Sequence, residues 1–104
     1  MNETLRTPTN ETEVRVVVKV FGALRVHLGA GAREIVIPSR GTIRDLLSAL
    51  ATVIPDLAPR LEEGLDKGYL NILVNGRNAR FLKGLDTPLV ADDTVAFLPP
   101  IGGG

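Results

Sequence analysis

The chain has 104 residues, of which 44% are hydrophobic, so it is long enough for one domain with a single compact core. Its twelve basic residues balance twelve acidic ones and aromatic residues make up only 4%, which argues against nucleic-acid and membrane-surface binding. The lack of cysteine excludes disulfides, thiolate zinc sites and cysteine nucleophiles, and with no apolar run of membrane-spanning length we expect a cytoplasmic protein.

The first part of the chain predicts a disordered arm followed by a β-hairpin. Residues 1–13 are polar and include Pro8, a composition that rarely forms a packed structure. Apolar and polar residues then alternate over residues 14–21, which predicts the first strand. A loop containing Gly29 and Gly31 leads to a second alternating stretch over residues 33–37.

The middle of the chain predicts the main helix. Thr42 is a suitable N-cap, Asp45 suits the first helical turn, and Pro55 ends the pattern. Apolar residues recur between them with helical spacing: Ile43, Leu46, Leu47, Leu50 and Ile54. A shorter helix is predicted over residues 56–63, closed by Gly64.

Three further strands are predicted in the last third, over residues 69–74, 77–81 and 94–98. Asn75-Gly76 is a strong hairpin signal because both positions tolerate positive φ. The order β-β-α-β-β-β predicts an α+β fold, a mixed sheet of about five strands with one main helix on one face. If the last strand lies beside the first, the C-terminal tail leaves the sheet from a central strand.

The C-terminal segment is chemically distinctive. Residues 99–104 read Pro-Pro-Ile-Gly-Gly-Gly, and we interpret them as a flexible tail after a domain over residues 14–98. A carboxylate on such a thin stalk could enter a narrow active site of another protein. A short glycine run is a weak motif, and taken alone it is better explained by a frayed terminus.

Four stretches give the sequence a family resemblance. They are residues 20–25 (VFGALR), 42–47 (TIRDLL), 72–76 (ILVNG) and 92–100 (DDTVAFLPP). From residue 14 to residue 104 the chain resembles the ubiquitin-like β-grasp sulfur carriers. These include the small subunit of molybdopterin synthase, the thiamine sulfur carrier and related archaeal and bacterial modifiers. The molybdopterin branch is the more similar, because a phenylalanine and two prolines precede the glycines.

The resemblance implies a function for the tail. An activating enzyme would use ATP to adenylate the last glycine, and a sulfur donor protein would convert the adenylate to a thiocarboxylate. An acceptor enzyme, such as the large subunit of molybdopterin synthase, would then take the sulfur. The reactive residue is Gly104, or Gly103 if the third glycine is trimmed, since the family usually ends in two. The chain itself would bind no cofactor and supply no catalytic side chain.

Two alternatives stay open at this point. The same activated terminus could join the chain to lysines of other proteins, as a ubiquitin-like modifier. The chain could also be an interaction domain with an inert tail. Whether it acts as the small subunit of a sulfurtransferase complex is equally open.

The alternation of the strands predicts a docking surface for a partner. If the even-numbered residues of the first strand face the helix, Val17 faces away, and Leu73 does the same in its own strand. On the last strand either Ala96 and Leu98 or Val95 and Phe97 must face away. Arg80 beside Phe81 could extend the surface. The predicted partner-binding residues are Val17, Leu73, Phe81, Phe97, Leu98, Pro99, Pro100, Ile101, Gly102 and Gly103.

We predict no metal site. His27 is the only histidine and has no second nitrogen or sulfur ligand to accompany it. Asp92-Asp93 is more typical of a turn than of a cation site, because no further carboxylates are spaced to complete one.

Overall fold

The computed structural model describes residues 12–29 and 31–99. Its helices and strands are, in chain order, β1 (Glu13–Val20), α1 (Arg25–Leu28), β2 (Ala32–Pro38), α2 (Ile43–Val53), α3 (Ala58–Asp66), β3 (Asn71–Val74), β4 (Arg77–Asn78) and β5 (Thr94–Leu98). Three 3-10 turns connect them, at Gly22–Leu24, Ala79–Phe81 and Gly84–Asp86. The predicted arm lies outside the described residues up to position 11.

The strands form one mixed sheet in the order β2-β1-β5-β3-β4. β5 is parallel to β1 and antiparallel to β3, and the two outer pairs are antiparallel. The last strand therefore lies beside the first at the centre of the sheet, which is the condition under which the sequence predicts a tail leaving from a central strand. Because β5 is central, the chain that follows Leu98 leaves from the middle of one end of the sheet.

The β3–β4 connection is the predicted two-residue turn. Asn75 and Gly76 both have positive φ, 51° and 87°. The strand after it is shorter than the predicted residues 77–81, since β4 ends at Asn78. The Asn78 side chain accepts a hydrogen bond from the Arg80 backbone N–H at 3.0 Å, which favours a 3-10 turn over continued pairing.

α2 begins and packs as its sequence predicts. Thr42 caps it through a reciprocal pair of hydrogen bonds: Asp45 Oδ2 accepts from the Thr42 N–H at 2.8 Å, and Thr42 Oγ1 accepts from the Asp45 N–H at 3.4 Å. The helix ends at Val53, before Pro55. All five predicted stripe residues are buried against the sheet: Ile43, Leu46, Leu47, Leu50 and Ile54.

α3 corrects the predicted role of Gly64. The helix runs from Ala58 to Asp66, so Gly64 lies inside it and does not end it. A Cβ on Gly64 would lie 2.6 Å from Leu70 Cδ1, so any side chain here would force Leu70 or the helix to shift. The chain turns instead at Gly68, where φ is 79°.

The connection between β1 and β2 contains a short helix, whereas the sequence predicts only a loop there. α1 is four residues long, too short to show a helical period, and it follows a 3-10 turn. Leu28 anchors it in the core at 2% exposure, and Gly29 closes it with a φ of 85°.

The core lies between the helices and one face of the sheet. Sheet residues buried in it are Val16, Val18, Val20, Ile35, Ile37, Ile72, Val74, Val95 and Phe97. Leu57, Leu61 and Leu89 join the α2 stripe on the other side. The opposite face of the sheet carries none of the described helices, and we call it the open face.

Candidate functional site: the open face of the sheet

The end of the chain can be followed as far as Pro99. The predicted site residues Pro100, Ile101, Gly102, Gly103 and Gly104 lie outside the described residues. Pro99 is exposed directly after β5. The site described below is therefore the surface from which the glycine tail departs.

The burial of the β5 side chains shows which of them face the open side. Val95 and Phe97 are fully buried in the core, whereas Ala96 and Leu98 are partly exposed on the open face. The prediction that Phe97 is available to a partner is therefore wrong. In the parallel register Phe97 is paired with Val20 and Val95 with Val18, and both β1 residues face the helices.

One row of the open face crosses all five strands. Lys19 is paired with Ala32 on one side and Ala96 on the other, and Ala96 is paired in turn with Leu73. Leu73 is paired with Asn78 at the far edge. Leu73 is half-buried here, so it faces away from the core as the alternation predicts.

Val17 lies in the neighbouring row of the open face. It is paired with Glu34 on β2 and with Thr94 on β5 and is half-buried. β5 carries Ala96 two residues beyond Thr94, on the same face. Val17 and Leu73 are thus separated by β5 alone and form one partly apolar surface with Ala96.

The row at the end of β5 contains an exposed aromatic residue, Phe21, that is not among the predicted partner-binding residues. Leu98 is paired with Asn71, and the β1–β5 register ends one position earlier at Val20 and Phe97. Phe21 continues β1 in an extended conformation, with φ −131° and ψ 159°, and is 46% exposed. Extending the register by one residue places Phe21 beside Leu98. The alternation of Val17 and Lys19 on one face could have identified it.

Phe81 and Arg80 lie at the rim rather than in these rows. Phe81 is 81% exposed in the turn after β4, and the Arg80 guanidinium carbon lies 6.0 Å from its ring centroid. That distance allows a weak cation–π contact. The turn begins one residue after Asn78, the partner of Leu73, so the pair borders the open face.

The charges on the open face are few. Arg15 and Glu34 form an exposed ion pair with 3.8 Å between Nη1 and Oε1. No ion pair involving Lys19 is present among residues 12–29 and 31–99. In the row that crosses all five strands, Lys19 is the one charged residue, and it is paired with Ala96.

The described part of the chain offers a binding surface and no cluster suited to a metal. No three histidine, aspartate or glutamate residues within it are placed to hold an ion. No helix within the same ranges is long and apolar enough to cross a membrane.

Comparisons with known proteins agree with this architecture. The model of the ThiS family matches residues 18–104. Small archaeal modifier protein 3 of Haloferax volcanii is 33% identical over 88 residues, which cover 84% of this chain and 96% of that protein. The sulfur carrier protein CysO of Mycobacterium tuberculosis is 30% identical over 95 residues, covering 88% and 100%.

The fold is similar to a solved structure as well. The solution structure of small archaeal modifier protein 1 from Methanosarcina acetivorans has a TM-score of 0.68 and 35% sequence identity. The match covers 88% of this chain and 98% of that one. The predicted β-grasp architecture is thereby confirmed.

Proposed function

The chain belongs to the ThiS family of ubiquitin-like β-grasp sulfur carriers, and we propose that it carries sulfur as a thiocarboxylate on its C-terminal glycine. The working group is the carboxylate of Gly104, or of Gly103 after trimming. The acceptor we propose is of the molybdopterin type, which the phenylalanine and two prolines before the glycines favour. The similar proteins named modifier and sulfur carrier support this general class of function.

The chemistry requires activation by a partner. A carboxylate is a poor electrophile, so an activating enzyme joins it to AMP from ATP and releases pyrophosphate. The outer sulfur of a persulfide on a sulfur donor protein then attacks the carbonyl carbon, so that a C–S bond forms and the C–O bond to AMP breaks. A thiol next attacks the donor's inner sulfur; the S–S bond to the carried sulfur breaks, a disulfide remains on the donor, and the thiocarboxylate is released. An acceptor enzyme receives the sulfur from the resulting thiocarboxylate. In this scheme the chain contributes docking and delivery, and ATP is bound by the activating enzyme.

The observation that carries the proposal is the position of the open face relative to β5. Partly exposed apolar side chains on three adjacent strands surround the last residues of β5: Val17, Phe21, Leu73, Ala96 and Leu98. An apolar patch that continues into the segment to be delivered would hold a partner at the right distance from the tail. We propose this patch as the docking surface for the activating and acceptor enzymes.

A docking variant tests this assignment. Asp at position 17 would face Glu34 across the strands and be repelled, so Val17→Lys is the better choice, combined with Leu73→Lys. Loss of two apolar contacts at an interface centre should raise the KM for the chain at least about tenfold in an activating enzyme's ATP–pyrophosphate exchange.

Val36→Lys is the matched control. Val36 is 46% exposed on the same face but lies on the edge strand β2, two rows further from the tail than Ala96. Its exchange kinetics should match those of the unmodified chain. A folded double variant with an unchanged KM would show that docking occurs elsewhere.

The tail itself is tested by intact mass. Chain isolated from its host during active sulfur transfer should show a gain of about 16 Da at the terminus, because sulfur replaces one oxygen at an activated carbonyl. Deleting the three glycines should abolish both this gain and the exchange reaction. Full function after the deletion would leave an interaction domain with an inert tail.

A second candidate function uses the same terminus. The relatives named small archaeal modifier proteins favour conjugation to lysines of other proteins. Higher-mass adducts containing an isopeptide link to the terminal glycine, in place of the thiocarboxylate mass, would support the modifier.

Restoration of molybdopterin formation in cells that lack the small synthase subunit would support the proposed acceptor class.

A further inference from the structure

The β3–β4 turn contains the dipeptide of this chain that is chemically most prone to deamidation. Asn75 is the one asparagine of the sequence that glycine follows. A glycine nitrogen is unhindered, so it can attack the side-chain carbonyl carbon of the preceding asparagine. Asn71 and Asn78 are followed by isoleucine and alanine, whose side chains obstruct the same attack.

The fold holds the Asn75 amide away from that reaction. Its Nδ2 donates to Asp93 Oδ1 at 2.8 Å, and its Oδ1 accepts from the Thr94 N–H at 2.9 Å. The Asn75 backbone N–H donates to the Thr94 carbonyl at 2.8 Å. Both ends of the amide are thus bonded to β5 and the residue before it. The group cannot turn toward the Gly76 nitrogen without breaking both bonds.

We propose that Asn75 is a modification site for spontaneous deamidation, which the closed turn prevents and which local opening permits. In the open turn the Gly76 nitrogen forms a bond to Asn75 Cγ, and the Cγ–Nδ2 bond breaks. The nitrogen of the side chain leaves as ammonia with the Gly76 proton. Water then adds to either carbonyl carbon of the cyclic imide, and the bond from that carbon to the Gly76 nitrogen breaks. Cleavage at Cγ gives aspartate, and cleavage at the backbone carbonyl gives isoaspartate.

The product cannot restore every hydrogen bond of the closed turn. A carboxylate at position 75 has no proton to donate to Asp93, and two negative groups would lie where a 2.8 Å hydrogen bond now lies. Asp93 is held in place, because its Oδ2 also accepts from the Val90 N–H at 2.9 Å. Isoaspartate lengthens the backbone of a two-residue turn. Deamidation to aspartate therefore removes the bond to Asp93 and places two carboxylates side by side, which weakens the attachment of this turn to β5 even though the Thr94 N–H keeps an acceptor.

The rate of deamidation in the folded and unfolded chain tests the first half of the proposal. The full chain is incubated at mildly alkaline pH with and without denaturing urea, and each asparagine is followed by peptide mass mapping. In urea Asn75 should react first among the asparagines. In native buffer it should react at least about tenfold more slowly, because only open molecules react. Equal rates at Asn75 in the two conditions would overturn the proposal.

Asp93→Ala sharpens the comparison. It removes the acceptor of the amide but leaves the Thr94 N–H, so the folded variant should deamidate at Asn75 several-fold faster than the unmodified chain. An unchanged deamidation rate at Asn75 in the folded variant would contradict the proposal that the hydrogen bond to Asp93 protects the amide. If the variant does not fold, the comparison of native and urea rates decides the matter without it.

Substitution tests the second half. Asn75→Asp reproduces the product, whereas Asn78→Asp is a matched control, since Asn78 only accepts a hydrogen bond there, from the Arg80 N–H, and a carboxylate can accept it equally. Asn75→Asp should unfold at a clearly lower urea concentration than the control. Equal midpoints for the two variants would show that the modified turn closes normally.

Discussion

The two faces of this sheet differ in what they contact, although every long strand contributes to both. On β5 the side chains of Val95 and Phe97 are fully buried, while Ala96 and Leu98 between and after them remain partly exposed. On β1 Val16 and Val18 are fully buried on either side of the half-buried Val17. Successive residues in a strand point to opposite faces, so a shift of one position exchanges the two environments.

The difference teaches that apolar character alone does not identify a core residue here. Valine and phenylalanine occur on both faces: Val17 and Phe21 lie on the open face, and Val18 and Phe97 lie in the core. The helices bury most of one face, so substitutions of its buried residues should act on stability. The open face lies beside the end of β5 and is the docking surface proposed above, so substitutions there should act on binding and leave stability nearly unchanged.

The largest expected effect comes from Phe97→Ala. Truncation of a fully buried phenylalanine leaves a cavity between the sheet and the helices, and should lower the free energy of unfolding by about 3–5 kcal/mol. Leu98→Ala, one residue along the same strand, should cost less than about 1 kcal/mol, because its side chain is already partly exposed. Urea unfolding followed by circular dichroism measures both. Equal losses would mean that the open face is covered in the folded chain.

A smaller loss is expected from Gly64→Ala, which tests how closely the covering layer packs. The new Cβ would lie 2.6 Å from Leu70 Cδ1 and 2.7 Å from Cγ, so Leu70 or α3 must shift. Overpacking of this kind should reduce the free energy of unfolding by about 1–3 kcal/mol. The double variant Gly64→Ala, Leu70→Ala separates the clash from helix propensity. In the Leu70→Ala background, Gly64→Ala should lower the free energy of unfolding less than it does in the unmodified chain. An equal loss in the two backgrounds would show that the contact with Leu70 is not the cause.

Gly64 also shows why part of the fold escapes sequence reasoning. The alternation of β1, the stripe of α2 and the Asn75-Gly76 turn depend on local spacing, so the sequence predicts them with bounds close to those observed. The role of Gly64 depends on Leu70, which meets it only after the chain has turned back. Local rules therefore treat a packing glycine as a helix end.

The candidate site was predictable to a similar extent. Val17 and Leu73 follow from the period of their own strands, and both lie on the open face. The choice between Leu98 and Phe97 depends on the register of β5 with β1, which is set by tertiary packing of Phe97 against the helices. Strand period therefore gives two alternatives for β5, and only the pairing of Phe97 with Val20 selects one.

The smallest effect is expected from Glu34, on the open face of β2. Its neighbour Ile35 points to the opposite, covered face and serves for comparison. Glu34→Gln removes an ion pair whose side chains are 66% and 62% exposed, and such pairs contribute at most about 0.5 kcal/mol in this geometry. Ile35→Val removes one methylene from a residue that is 2% exposed and should cost about 0.5–1.5 kcal/mol. Urea unfolding gives the free energy of unfolding of both variants. It thereby compares the loss of one charge on the open face with the loss of one buried carbon on the covered face. A larger loss from Glu34→Gln than from Ile35→Val would show that electrostatics on the open face, and not burial on the covered one, stabilises this edge of the sheet.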